Sequence, residues 1–76
     1  MRHINSHDCH VRFGKFIREG RLKKDLYQQE LADMLGISQS YVSKFEQGER
    51  DIDLALAMKI CEILDLDMKK FVDSFM

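Results

Sequence analysis

The chain has 76 residues, of which 45% are apolar and 33% charged, and its formal net charge is −1. This length allows one small domain, and the lack of proline together with only 4 glycines favours an all-helical fold. No apolar run approaches the roughly 20 residues that cross a bilayer, and the N-terminus lacks the apolar segment of a secretory signal. We therefore expect a cytoplasmic protein with no membrane contact.

Residues 1–10 are polar and without periodicity, which predicts a flexible N-terminal arm. The arm contains four potential zinc ligands: His3, His7, Cys9 and His10. Their spacing matches no structural zinc site, so we expect neither a metal nor another cofactor. Cys61 falls on an apolar helical stripe, which predicts a buried thiol rather than a disulfide with Cys9.

Residues 11–76 are predicted to form one domain of five helices. The predicted helices cover residues 11–24, 28–35, 39–47 and about 54–64, and a fifth follows Asp67. Gly20 lies within the apolar stripe of the first helix, which suggests the close approach of another helix. Gly36 is placed to end the second helix in a left-handed conformation, and Ser38 and Asp53 to cap the third and fourth.

The charges are distributed unevenly along these helices. Residues 11–24 hold six basic side chains against one acidic, a balance of +5, whereas residues 51–76 hold three against six, a balance of −3. A polarised molecule can present a basic face to nucleic acid while its total charge stays near zero. A solvated charged surface explains the same pattern.

The second and third helices, with a short turn between them, carry the main functional signal. Apolar residues face inward from both helices: Leu31, Leu35, Ile37, Val42 and Phe45. The outward residues of the third helix suit hydrogen bonds to base edges in the major groove: Gln39, Ser40, Tyr41, Ser43 and Lys44. Three others suit backbone phosphates: Gln28, Ser38 and Arg50. The alternative is a plain helical hairpin with solvated polar groups.

Four segments make the chain resemble the Cro/phage-repressor-type, or XRE, family of helix-turn-helix transcriptional regulators. They are IREGR, LYQQELADMLGIS, SYVSKFEQGER and LALAMKICEILDLDMKKF, within residues 13–75. The resemblance implies a compact five-helix, lambda-repressor-like domain that binds operator DNA as a two-fold dimer. By position it implies that Gln28 holds a phosphate, that Gln39, Ser40 and Lys44 contact bases, and that Tyr41 and Ser43 line the groove wall. It also implies a semi-buried ion pair between Arg21 and Glu46.

Four positions depart from the family pattern, and the first of them is Gly20, where the family commonly has a larger apolar residue. Tyr27 stands where the family usually has Ser or Thr, so the second helix is expected to lack its usual cap, with Asp25 as an alternative. Ile52 stands where Pro is frequent, and Asp65 where Gly is frequent. None of these changes is expected to prevent the fold.

The predicted function is a sequence-specific transcriptional regulator, with repression favoured, that binds a pseudo-palindromic operator as a homodimer. The predicted dimer interface consists of Phe71, Val72, Phe75 and Met76, although these side chains could instead cover the core of one monomer. Glu62 and its acidic neighbours suit a contact with RNA polymerase, and solvated surface explains them equally. We expect no small-molecule effector.

A protein-interaction module, or an antitoxin-like protein, would use the same fold with a partner protein in place of DNA. An enzyme is not predicted, because no carboxylate pair, Cys–His arrangement or glycine-rich phosphate loop is placed for catalysis.

Overall fold

The computed structural model describes residues 6–73 of the chain, and the side chains of residues 8–73. Within that part the chain forms five helices and no strand, which confirms the predicted all-α fold. The helices are α1 (Ser6–Lys23), α2 (Gln28–Leu35), α3 (Gln39–Glu46), α4 (Leu54–Leu64) and α5 (Met68–Asp73). No helix among the described residues is both long and apolar enough to cross a bilayer.

The first helix begins earlier than the sequence predicts. Residues 6–10 are helical and belong to α1, which therefore starts five residues before its predicted first position, residue 11. A tertiary contact accounts for part of this extension, since His10 Nε2 lies 3.0 Å from Asp51 Oδ1 in the connection between α3 and α4. His3 and the side chain of His7 lie outside the described residues. The described His, Cys, Asp and Glu side chains form no group that could hold a metal ion.

The core lies where the inward faces of α1 to α4 meet. Its largest fully buried side chains are Ile17, Leu31, Val42, Phe45 and Ile60. Burial of these apolar side chains is the main force that holds such short helices together, since a helix of eight residues is marginal by itself. Cys61 is also buried, as predicted, and burial raises the pKa of its thiol, while both cysteines are free.

Two glycines allow other segments to approach α1 closely. A Cβ atom at Gly14 would lie 2.3 Å from the carbonyl oxygen of Phe45 and 2.6 Å from that of Glu46, so the last turn of α3 rests on the α1 backbone. A Cβ atom at Gly20 would lie 2.7 Å from the side chain of Leu66. The sequence predicts a helix at Gly20; the structure has a side chain of the α4–α5 connection there, and the close helix contact is at Gly14.

The ends of the central helices follow the sequence signals. Gly36 ends α2 with φ of 70°, in the left-handed region. The hydroxyl oxygen of Ser38 accepts a hydrogen bond from the backbone N–H of Tyr41 (3.1 Å), and the carboxylate of Asp53 accepts one from the N–H of Leu56 (2.8 Å). These three signals therefore set the end of α2 and the starts of α3 and α4.

The entry to α2 has a weaker cap, as the departure at Tyr27 predicts. The side chain of Tyr27 makes no capping bond, but its backbone N–H donates to the carboxylate of Glu30 (2.8 Å). Asp25 does not take the capping role: it adopts a φ of 56° and its N–H donates to the carbonyl of Leu22 at the end of α1. Asp65 likewise adopts a left-handed φ of 55°, at the position where the family often has Gly, and its carboxylate pairs with Lys24.

Candidate nucleic-acid interface

The turn between α2 and α3 sets the angle at which α3 leaves the core. Ala32 is fully buried at the crossing, and its carbonyl accepts a hydrogen bond from the N–H of Ile37 (3.0 Å). Because α3 is held on its inner side by Val42 and Phe45, its outer side faces solvent. Gln39, Ser40 and Lys44 are all exposed there.

A buried ion pair connects α1 to the end of α3. Arg21 Nε donates to Glu46 Oε2 at 2.8 Å, and Arg21 Nη2 donates to Glu46 Oε1 at 3.0 Å. The remaining Nη1 donates to the carbonyl of Leu26 at 2.7 Å. Both charged residues are only 6% exposed, and this bidentate geometry lies where the family resemblance implies an ion pair.

Two glutamines extend this pair to the protein surface. Gln28 Nε2 donates to Glu46 Oε1 (3.0 Å), and Gln39 Nε2 donates to Gln28 Oε1 (2.6 Å). We call the chain of Arg21, Glu46, Gln28 and Gln39 the polar relay. It joins α1, α2 and α3 through side chains that are up to 25 positions apart in sequence.

The polar relay has a fixed direction. A carboxylate paired with a guanidinium can only accept hydrogen bonds, so Gln28 must present its NH2 group to Glu46 and its carbonyl oxygen to Gln39. Gln39 must then donate through its own NH2 group. Its carbonyl oxygen and one N–H therefore remain available, side by side, at the exposed start of α3.

Tyr41 and Ser43 are less available than the sequence predicts. Both are half-buried, and the hydroxyl of Tyr41 donates to the carbonyl of Asp51 (3.2 Å) in the α3–α4 connection. The guanidinium of Arg50 lies 4.9 Å from the centroid of the Tyr41 ring. The hydroxyl of Ser43 accepts a hydrogen bond from Gln47 (3.3 Å). Tyr41 thus holds the exposed Arg50 beside α3 rather than projecting alone.

The sequence alone did not reveal three of these contacts. The approach of Gly14 to α3, the pairing of His10 with Asp51 and the hydrogen bond between Gln28 and Gln39 all join different elements. A glycine within the apolar stripe of a helix was the one available signal, and Gly14 carries it as well as Gly20. Spacing along the chain contains no signal for the other two contacts.

Of the four predicted dimer residues, the structure describes Phe71 and Val72. Phe71 packs on Phe13 and Phe16, with ring centroids 5.0 Å and 5.2 Å apart, and so covers part of the core of the monomer. Val72 remains 51% exposed. Phe75 and Met76 lie outside the described residues. Val72 borders an apolar groove of about 350 Å³ between α1, α4 and α5, to which Leu54 also contributes.

Two short helices that cross at a buried alanine, with hydrogen-bonding side chains exposed on the second, define a helix-turn-helix domain. The sequence profile of the HTH_3 helix-turn-helix family matches residues 17–71. The chain belongs to this family of DNA-binding transcriptional regulators, which confirms the resemblance to the XRE type.

Two relatives of this chain also bear the names of HTH-type transcriptional regulators. The HTH-type transcriptional regulatory protein PF1851 of Pyrococcus furiosus is 37% identical over 82% of this chain. That role is assigned provisionally by its name. The HTH-type transcriptional regulator YqaE of Bacillus subtilis, which is uncharacterized, is 34% identical over 74% of it. The chain spans 20% of the length of PF1851 and 48% of that of YqaE.

Solved structures extend the comparison. The restriction-modification controller protein C.AhdI from Aeromonas hydrophila superposes with a TM-score of 0.74 at 35% identity, covering 83% of this chain and 96% of that one. The clp gene regulator ClgR from Corynebacterium glutamicum gives a TM-score of 0.77 at 24% identity, covering 83% and 67% of the two chains. The likeness to ClgR shows the shared fold.

Proposed function

We propose that this protein binds a specific DNA operator through α3 in the major groove and represses transcription by occupying it. The polar relay is the observation that carries this proposal. It presents an acceptor and a donor of Gln39 side by side, and the major-groove edge of adenine offers the matching donor at N6 and acceptor at N7. A surface glutamine that is free to change rotamer would lose more side-chain conformational entropy than Gln39 on making the same contact.

The neighbouring residues suit supporting contacts. Gln28 keeps one N–H of its amide for a phosphate, next to the free backbone N–H groups at the start of α2. The hydroxyl hydrogen of Ser38 and the guanidinium of Arg50 are further phosphate donors. Lys44, exposed one turn beyond Ser40, would contact a guanine edge or another phosphate. This DNA contact needs no cofactor, and it requires the protein to act in the cytoplasm, where the operator lies.

Replacing Gln39 with alanine is expected to relax base preference at one position of each half-site, with a loss of about 1–3 kcal/mol of discrimination. Selection of bound duplexes from a random DNA pool, with the wild type and the variant in parallel, measures this. The wild type should enrich adenine at that position, and Gln39→Ala should not.

Gln29→Ala is the matched control, because Gln29 is an exposed glutamine of α2 whose amide bonds to Asp33 (2.8 Å) and not to the polar relay. It should select the same sequences as the wild type. If no sequence is enriched by the wild type, operator binding is refuted. If Gln39→Ala retains the adenine preference, the role of Gln39 is refuted while operator binding stands.

We also propose that the regulator acts as a two-fold homodimer through α5, so that two α3 helices reach successive major grooves about 34 Å apart. The exposed Val72 beside the apolar groove supports this interface, because Leu54 and Met58 of α4 are also exposed, by 71% and 60%. A domain of this size has little surplus core energy, and dimer formation would add to it.

Val72→Asp is expected to give monomers in sedimentation experiments, because an isolated charge would lose its hydration in the interface. Leu22→Asp is the matched control, since Leu22 is also 51% exposed but lines a different groove, whose lining includes no residue of α5. It should leave the dimer intact. A Val72→Asp variant that remains dimeric would place the interface elsewhere.

The exposed apolar groove also supports a second candidate function, in which a partner protein docks there and the protein does not bind DNA. Binding to random duplex DNA at low and high salt distinguishes the two, because contacts to phosphates give an affinity that falls steeply with salt.

Among regulatory processes, control of a restriction-modification system is supported by the similarity to C.AhdI over nearly all of that chain. A contact with RNA polymerase would involve acidic residues such as Glu62, which is exposed on α4.

A further inference from the structure

A polar groove lies beside the polar relay, and the contacts described so far leave it unoccupied. It has a volume of about 540 Å³ and separates α1 from the start of α2 and the end of α3. Its walls are formed by Val11, Lys15, Arg18, Gln28, Glu46 and Gln47. We call it the α1 groove. The first three residues follow one another at helical spacing, so one face of α1 forms the whole of one wall.

The α1 groove has a net positive lining. Lys15 and Arg18 are exposed, and within residues 8–73 neither has an ion-pair or hydrogen-bond partner. The one acidic side chain of the lining is Glu46, whose carboxylate is already neutralised by Arg21 at 2.8 Å. The positive charge of the α1 groove is therefore uncompensated by protein groups and attracts an anion.

The position of the α1 groove identifies the kind of anion. Gln28 belongs both to its wall and to the polar relay, so the groove continues from the place where α2 would meet the DNA backbone. Lys15 and Arg18 are separated by three residues, a rise of about 4.5 Å along α1, which suits long side chains that reach neighbouring phosphates of one strand.

We propose that the α1 groove holds the sugar-phosphate backbone of one operator strand, with Lys15 and Arg18 as phosphate contacts next to the phosphate held by Gln28. This inference rests on the proposed operator binding and extends it to α1. It gives the first helix a direct share in DNA affinity, in addition to its structural contact with α3.

The test is the salt dependence of operator binding by the double variant K15Q/R18Q, which keeps a polar side chain at both positions but removes both charges. Each lost phosphate contact should reduce the slope of log affinity against log salt by about 0.9, or about 1.8 for the pair. Between 50 and 200 mM salt, the affinity of the wild type should then fall about 12-fold more than that of the variant. The selected sequence should not change, because phosphate contacts carry no base preference.

K23Q/K70Q is the matched control with the same loss of charge. Lys23 and Lys70 line a different groove, beside Gly20 and Leu66, which contains none of the candidate DNA contacts. This variant should keep the slope of the wild type. An equal drop in slope for both double variants would show a diffuse effect of net charge and overturn the proposal, as would an unchanged slope for K15Q/R18Q.

The outcome for α1 is separate from that for the operator. If the wild type binds a selected operator and K15Q/R18Q has the slope of the wild type, the α1 groove is refuted and the proposed function stands. If the wild type shows no salt-dependent binding to any duplex, both are refuted together.

Discussion

Arg21→Met is expected to lower the free energy of unfolding by about 3–5 kcal/mol, because it leaves the carboxylate of Glu46 buried without its partner. A domain of this size has a total stability of about 4–11 kcal/mol, so the variant should lose a large share of it. Urea denaturation followed by circular dichroism measures the loss.

The double variant R21M/E46L separates charge from packing. Replacing a whole buried ion pair by apolar side chains is often neutral or stabilising, by up to about 4 kcal/mol, so it should recover most of the stability lost in Arg21→Met. Its DNA recognition should not recover, because Gln28 would lose the acceptor that sets its direction in the polar relay. If the double variant is as unstable as the single one, the pair contributes by packing rather than by charge compensation.

Gly14→Ala is expected to destabilise the protein by about 2 kcal/mol, although alanine favours the helix by about 1 kcal/mol over glycine. The new Cβ atom would lie 2.3 Å and 2.6 Å from two backbone carbonyl oxygens at the end of α3, which cannot move without moving the helix. For a domain of this size the loss corresponds to a Tm lower by about 8–16 °C. Thermal denaturation and operator affinity should both decrease, because α3 is displaced.

Gly20→Ala is the natural control for this prediction. Its Cβ atom would also meet a neighbour at 2.7 Å, but that neighbour is the end of the Leu66 side chain, which can change rotamer. The gain in helix propensity should then offset most of the clash, and the Tm should change little. Equal losses for the two variants would mean that the α3 backbone adapts as easily as a leucine side chain.

The parts of the fold that were predicted from the sequence depend on local signals. Gly36, Ser38 and Asp53 mark helix ends through conformations and hydrogen bonds that involve residues two to four positions away. The apolar stripes predicted the buried faces because periodicity is a property of one helix. The predicted start of α1 is wrong by five residues, and His10, in the second turn of this extended helix, contacts Asp51 of the α3–α4 connection.

The sequence indicates which residues belong to the candidate site, but not the hydrogen bonds that join them. Gln28 and Gln39 were both selected from the sequence, one for a phosphate and one for a base, without the hydrogen bond that joins them. Tyr41 was predicted at the groove wall, whereas its hydroxyl holds the α3–α4 connection and its ring lies below Arg50. The roles of these residues on DNA stay predictions.

The sequence by itself determined the presence of five helices, the end of α2, the starts of α3 and α4, the inward faces and the family, because these features depend on residue types close together in the chain. Only the tertiary structure decided how Arg21, Glu46, Gln28 and Gln39 connect, since their hydrogen bonds require three helices to cross at one angle. That angle depends on the buried Ala32 at the crossing of α2 and α3 and on the close contact of Gly14 with the end of α3, which is about 30 positions away in sequence. The direction of the amide of Gln39 is consequently a property of the assembled core, transmitted to the surface from a buried charge.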